Sequence, residues 1–214
     1  AKLVARHGRV TVTGDLPDGI VGEDGVLSTL ERLLEHYRAP VAADFGAEGA
    51  SLPPLHSGVV GYLGYDVVRE VERLPDAPTD DRSWPDAVLS VIGELAAYDH
   101  WSQQVTLVAN AFVEPGVDDA ELDAAYDRAL ARIEQMAADG ATPIDEPLVE
   151  APGAGEVPAV TSSMSTGGYQ RAVAAAKEYI LSGDIFQVVL AQRFDVEISA
   201  DPLDVYRVLR RVNP

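Results

Sequence analysis

Few side chains in this 214-residue sequence are of a type and spacing that could do chemistry, and the most conspicuous is an amide. Gln187 interrupts Gly183-Asp184-Ile185-Phe186-Gln187-Val188-Val189-Leu190-Ala191-Gln192-Arg193-Phe194, a run rich in strand-forming residues. Along an extended chain, side chains alternate between faces, so Phe186, Val188, Leu190 and Phe194 share a face that reads as core. Ile185, Gln187, Val189, Ala191 and Arg193 share the other, mixed face. Gln187 and Arg193 would then lie roughly 20 Å apart, too far to bond directly. An unpaired buried amide costs on the order of a few kcal/mol, so Gln187 is expected to find other partners. On the residues alone, a structural hydrogen-bonding role stands ahead of a catalytic one.

The remaining polar groups point to structure before chemistry. Asp80-Asp81, Asp118-Asp119 and Glu70/Glu72 fall in loops or on helix surfaces, where capping or solvation is the expected role. Arg207, Arg210 and Arg211 lie on one helix and complement its C-terminal dipole. The four histidines, His7, His36, His56 and His100, show no ligand spacing. With no cysteine, disulfides, thiolate metal sites and cysteine nucleophiles are excluded. No phosphate loop, dinucleotide fingerprint, nucleophile elbow or zinc spacing is present.

A formal net charge of −19 argues against a nucleic-acid partner, because neutralising phosphates takes clustered Lys and Arg. The same charge disfavours an anionic membrane surface, and no apolar run is long enough to span a bilayer. Ala1-Lys2-Leu3-Val4 does not read as a signal peptide, so the expected compartment is the cytoplasm. Hydrophobic residues at 47% and charged residues at 24% fit a globular chain with a sizeable core.

The elements that must position these groups follow from periodicity and punctuation. Leu3–Ala5 and Val10–Val12 about His7-Gly8 predict a β-hairpin. Leu27, Leu30, Leu34 and Tyr37 predict an amphipathic helix over Gly25–Tyr37, with Arg32 and Glu35 outside. Ser57–Tyr65 reads as a strand whose glycines ask for a close backbone or a tight bend, packed under a neighbour or facing a ligand, and Asp66 as the cap of a short helix to Arg73. Asp86–Asp99 and Gln104–Phe112 predict two long antiparallel strands around His100-Trp101-Ser102. Asp118 or Asp119 caps a helix carrying Leu122, Tyr126, Ala129, Ile133 and Met136. Loops are expected over residues 38–57 and 75–85.

Residues 141–160, with four prolines, read as a solvated linker. It separates an N-terminal sheet-and-helix portion, residues 1–140, from a second portion, residues 161–214. There Ser165 or Thr166 is expected to cap a helix to Leu181, buried along Tyr169, Val173, Ala176 and Ile180, with Gly183 in the left-handed position after it. A strand over Ile185–Ile198 follows, then a helix opened by Asp201-Pro202-Leu203-Asp204 and apolar along Val205, Val208, Leu209 and Val212.

Several of these stretches resemble a known family. Gly61-Tyr62-Leu63-Gly64-Tyr65-Asp66-Val67-Val68-Arg69 with Glu72-Arg73-Leu74-Pro75 is similar to component I of anthranilate synthase, the large subunit. So are Leu107–Ala111, Ala175–Ile180, Gly183–Phe194 and Pro202–Arg207 running on to Asn213-Pro214. The resemblance covers most of residues 57–214, and Gly183–Phe194 is its most specific part. At Gly167-Gly168 the chain departs from relatives that carry acidic residues after the capping serine, which should weaken that helix start.

The resemblance implies an α+β fold, two antiparallel β-sheets packed face to face with helices on the outside, here incomplete. It implies a Mg²⁺-dependent lyase that turns chorismate and ammonia into anthranilate and pyruvate. The ammonia comes from glutamine hydrolysed by an amidotransferase subunit, component II, and L-tryptophan is the inhibitor. Relatives that add water to chorismate carry a lysine base at the position of Gln187. A glutamine amide cannot accept a proton near neutral pH, whereas NH₃ needs no such base, so Gln187 implies selection of ammonia over water. Asn213 and Pro214 match the start of a segment at the edge of the tryptophan pocket. The Mg²⁺ ligands and the remaining catalytic groups are expected beyond Pro214, so the 214-residue chain alone is expected to make no anthranilate. Turnover of chorismate by the isolated chain with ammonia and Mg²⁺ would overturn that. The rival implied activity is aminodeoxychorismate synthesis, and the rival class is a non-catalytic scaffold for the amidotransferase or for tryptophan.

Overall fold

The computed structural model describes residues 1–38, 52–144, 155 and 158–213. The expected loop at 38–57 and linker at 141–160 lie largely outside them, as does Pro214. The chain divides into two compact units, Ala1–Pro143 and Ile144–Pro214. Both are mixed α+β, and every described strand pair is antiparallel.

In the first unit, β1 (Lys2–Arg6) and β2 (Arg9–Thr13) form the expected hairpin, paired from Lys2↔Thr13 to Arg6↔Arg9. His7 and Gly8 both take positive φ, the geometry a two-residue turn needs to follow strand twist. β3 (Gly58–Leu63) and β4 (Ala87–Ile92) complete a sheet of order β2-β1-β4-β3. The predicted long strand Asp86–Asp99 is in fact two: β4 ends at Ile92, and β5 (Glu94–Asp99) pairs with β6 (Gln104–Ala109) in a separate sheet. The break is at Gly93, over which Phe112 packs so closely that an added Cβ would lie 2.9 Å from its ring. Gly93 also accepts from the Asn110 backbone N–H at 2.7 Å, so the chain turns there into its second pairing.

Helix α1 (Gly25–His36) covers the four-stranded sheet, but not by the expected stripe. Val26, Thr29 and Leu33 are buried, while Leu34 is 58% exposed, so the face is rotated by one residue. The misreading came from Thr29, which looks polar. Its hydroxyl donates to the Gly25 carbonyl at 2.8 Å, and so enters the core satisfied. These side chains meet Leu3, Ala5, Ala87 and Leu89 from the sheet, with Ile20 and Val67 closing the edge. Arg32, expected outside, ties the preceding turn to the helix by donating to Ile20 O and to both Asp24 carboxylate oxygens, each of the latter at 2.7 Å.

That guanidinium lowers the Asp24 pKa from 3.8 to about 2. The folded value lies below the unfolded one, so the contribution is complete above the ordinary carboxylate range and lost as pH falls towards the folded value. Asp24→Asn is expected to flatten the fall in melting temperature between about pH 4 and pH 2, read by thermal melts across that range. Asp24 is exposed and Arg32 only half-buried, so solvent screening keeps the effect small.

Tyr65–Glu70 forms a 3-10 turn that follows Gly64, and Asp66 does not cap it. Asp66 pairs instead with Arg69 at 2.7 Å. Glu70 caps a helix distant in sequence: its two carboxylate oxygens accept from Val26 N–H and Leu27 N–H, both at 2.9 Å. These are orphan donors of the first turn of α1, close to its positive end. Glu70→Ala is expected to cost about 2 kcal/mol, because two part-buried N–H groups lose a charged acceptor. Chemical denaturation should show it, with Glu70→Gln recovering a part.

Helix α2 (Asp119–Gly140) starts as predicted, with Asp118 accepting from Glu121 N–H at 2.8 Å. It packs on β6 with Ala125 buried and Ala129, Ile133 and Met136 partly so, while Leu122 and Tyr126 face outwards. Arg132 forms a two-pronged pair with Glu94 on β5.

In the second unit, β7 (Val160–Ser162) pairs with β8 (Phe194–Val196), and the unit's helices are α3 (Gly168–Ser182) and α4 (Pro202–Val212). Helix α3 begins without a side-chain cap, and its Ncap is Gly167 at φ 74°, where Ser165 or Thr166 was expected. The missing capping box agrees with the departure at Gly167-Gly168. Of its expected stripe only Ala176 is buried, with Tyr169 and Val173 half-buried and Ile180 45% exposed. Its end is the predicted one: Gly183, at φ 84°, lets Asp184 N–H reach Tyr179 O at 2.9 Å. Asp201 caps α4 through Leu203 N–H at 2.7 Å, with Pro202 following.

Candidate functional site

The strand expected over Ile185–Ile198 is present only as β8, Phe194–Val196. A strand exists through its ladder, and among the described residues only this part finds a partner, in β7. Phe186 is fully exposed, and Val188 at 45% and Val189 at 79% are not core residues. The two-faced reading of Phe186–Arg193 is therefore corrected. Gln187 is exposed too, so its amide carries no burial penalty and needs no protein partner.

The polar network lies at the other end of the segment. Gln192 Nε2 donates to Ser162 Oγ at 2.7 Å, and Arg193 N–H donates to Ser163 Oγ at 3.0 Å. Ser163 N–H returns a bond to Arg193 O at 2.9 Å, and Arg193 Nε lies 3.3 Å from Asp195 Oδ1. Gln192 thus fastens the segment to β7. It lines a cleft of about 280 Å³ with Ser165, Thr166, Tyr169 and Gln170 from the start of α3. Sequence reasoning singled out Gln187 and passed over Gln192. The signal was available: Gln192 shares the alternate positions of Phe186, Val188, Leu190 and Phe194, where an amide is the greater anomaly.

Asn213 is exposed at the end of α4, where its N–H reaches Leu209 O at 2.9 Å. Pro214 lies outside the described residues, and no hydrogen bond joins Gln187 to Asn213 among the described ones. The helix that ends here shows its apolar side chains to solvent, with Leu209 at 56% and Val212 at 74%.

A cleft of about 510 Å³ in the first unit is bordered by Tyr65, Trp84 and several carboxylates. Those carboxylates are structurally engaged. Asp80 accepts from Ser83 N–H at 2.7 Å, Asp86 from His7 N–H at 2.5 Å, Asp66 from Arg69, and Glu70 caps α1. Capping or solvation was the expectation for Asp80-Asp81, Asp118-Asp119 and Glu70/Glu72. Among the described residues no group of three or more His, Asp or Glu side chains could hold a metal ion. The described residues do not fit a Mg²⁺ centre.

Comparison with known proteins gives this geometry a context. The family model described as chorismate binding enzyme matches residues 21–214. Anthranilate synthase component 1 of Mycolicibacterium smegmatis is 36% identical over 214 residues, covering 99% of this chain and 38% of that protein. The Mycobacterium tuberculosis protein of the same name is 38% identical over 213 residues, covering 99% and 40%. The chain thus spans about 40% of the length of these curated relatives. The crystal structure of anthranilate synthase component I from Streptococcus pneumoniae superposes with a TM-score of 0.70 at 21% identity, covering 100% of this chain and 43% of that one. That likeness is one of fold. No helix of the described residues is long and apolar enough to cross a membrane. By the family match across residues 21–214, the chain belongs to the chorismate binding enzymes.

Proposed function

We propose that this chain is part of an anthranilate synthase component 1, a lyase that forms anthranilate and pyruvate from chorismate and ammonia. The observation that carries the reading is the identity of 36–38% across 99% of the chain to proteins of that name. The rival reading, an aminodeoxychorismate synthase, is not favoured by these relatives. Residues 161–214 are assigned as the start of the chorismate-binding portion, residues 1–140 as the N-terminal portion, and 141–160 as the linker.

Within this proposal Gln187 selects the nucleophile. Its exposed amide can donate and accept hydrogen bonds but cannot take a proton from water at neutral pH. Free NH₃ is already nucleophilic and attacks without a base. Ammonia is supplied by a glutamine amidotransferase subunit, component II, a partner that the designation component 1 suggests. Mg²⁺ as cofactor, L-tryptophan as inhibitor with Asn213 and Pro214 at its pocket edge, and a cytoplasmic location belong to the same proposal. The Mg²⁺ ligands are assigned outside the described residues.

The deciding experiment uses the full-length protein with chorismate, Mg²⁺ and an ammonium salt. Anthranilate fluorescence rising in step with pyruvate is expected. An amino-chorismate product without pyruvate would replace the reading with its rival. No turnover with ammonia or with glutamine and component II would leave a non-catalytic scaffold.

A further inference from the structure

Between the end of α3 and β8, the stretch Phe186–Ala191 makes no hydrogen bond among the described residues. Gln187 lies inside it, so its place is set by the fastenings at the two ends. The upstream fastening is local. Tyr179 O accepts from Asp184 N–H at 2.9 Å and from Ile185 N–H at 3.4 Å, and Ser182 Oγ donates to Asp184 Oδ2 at 2.7 Å. The downstream one reaches across 30 residues of chain, from Gln192 and Arg193 to Ser162 and Ser163.

At that downstream end, Ser162 dictates which group can stand opposite it. A hydroxyl has one proton to give and two lone pairs to offer. Ser162 Oγ gives its proton to Met164 O at 2.9 Å and accepts from Met164 N–H at 3.1 Å, which leaves one lone pair. Gln192 Nε2, 2.7 Å away, fills it. Position 192 therefore needs a donor with the reach of glutamine. A carboxylate of the same shape can only accept, and would set lone pair against lone pair. Gln192 is half-buried, so water replaces a lost bond only in part.

In the proposed function Gln187 stands beside the incoming NH₃. Its amide oxygen can accept one N–H of NH₃ and leave the nitrogen lone pair free to attack. Such a contact needs the amide held in one place, because a hydrogen bond weakens steeply with misalignment. We infer that Gln192 is a positioning residue: its bond to Ser162 Oγ holds the downstream end of Phe186–Ala191 and thereby places the Gln187 amide for ammonia. The inference rests on the proposed function and adds the fastening on which nucleophile selection depends.

Steady-state kinetics of the full-length protein, with ammonium and chorismate varied in turn, test this. Gln192→Glu is expected to raise KM for ammonium about fivefold, the effect of losing one neutral hydrogen bond, and to leave KM for chorismate within about twofold. Ser162→Ala should act in the same direction, whereas Ser162→Thr keeps the hydroxyl and should stay near the parent. Gln192→Glu combined with Ser162→Ala should lose no more than the larger single change, because both remove the same bond. Thermal melts accompany every variant, and Ser162→Ala decides the outcome if Gln192→Glu fails to fold. A role confined to stability would lower the melting temperature and leave the ammonium KM in place, which overturns the inference. A parallel rise in both KM values marks a general loss of the site and overturns it equally. A parent protein that forms no anthranilate from ammonium refutes the proposed function, and the inference falls with it. A parent that does form it, with an ammonium KM that neither folded variant moves, overturns the inference alone.

Discussion

Gln187→Lys in the full-length protein is expected to raise water addition to chorismate, relative to anthranilate formation, by at least about tenfold. The substitution adds the one group the ammonia reaction does without, a side chain that can hold and release a proton. A positioned general base contributes about 10²–10⁴-fold to a rate, so even a poorly placed lysine should move the product ratio measurably. The fold should not interfere. Gln187 is exposed and outside any strand, and such surface changes fall within about 0.5 kcal/mol. Chromatographic analysis of products, beside a melting curve matching the parent, reads the outcome. An unchanged ratio in a folded variant would remove Gln187 from nucleophile selection, while leaving anthranilate formation to be judged by its own assay.

The second large effect concerns Gly61, in the middle of β3. A Cβ built there would lie 1.9 Å from the Val88 carbonyl oxygen and 2.9 Å from the Leu89 Cα. Both atoms belong to the backbone of the paired strand, so no side chain can swing aside. Gly61→Ala can be accommodated only by parting β3 from β4, next to Ala87 and Leu89 in the core. Gly64 N–H, bonded to Asp86 O at 2.6 Å, anchors the far end of that pairing and would be pulled with it. The expected cost is about 3 kcal/mol, the upper part of the range for overpacking a close-fitted site, or roughly 10 °C in melting temperature. Gly116→Ala serves as a comparison, because a Cβ there meets nothing within 4 Å while the backbone has φ 86°. Its cost comes from backbone strain alone. If Gly61→Ala melts no lower than that control, the close approach of the two strands is wrong.

The glycines of Ser57–Tyr65 illustrate how far sequence reasoning reached. Their number asked for a close backbone, a tight bend or a ligand, and Gly61 lies against the backbone of β4. Which neighbour it was could not be read, since β4 begins well downstream at Ala87. Gln187 shows the opposite outcome. Alternation assigned Phe186–Arg193 two faces, yet alternation describes what a strand would present and does not supply the partner that makes one. The amide that the fold does employ is Gln192, held by a serine 30 residues away.

The sequence by itself determined the features whose physics is complete within a few residues. The His7-Gly8 turn, the Asp118 and Asp201 caps and the left-handed Gly183 belong here, because donor, acceptor and backbone conformation are all local. Its motifs also carried the family resemblance that the match over residues 21–214 bears out. Tertiary structure alone decided the rest: the face of α1 that is buried, the break at Gly93, the pairing that limits β8 to three residues, and the cap that Glu70 places on α1. Each of these depends on a group that approaches only after folding, as Glu70 does across 44 residues of chain. Hydropathy period and propensity hold no information about where such a group will arrive.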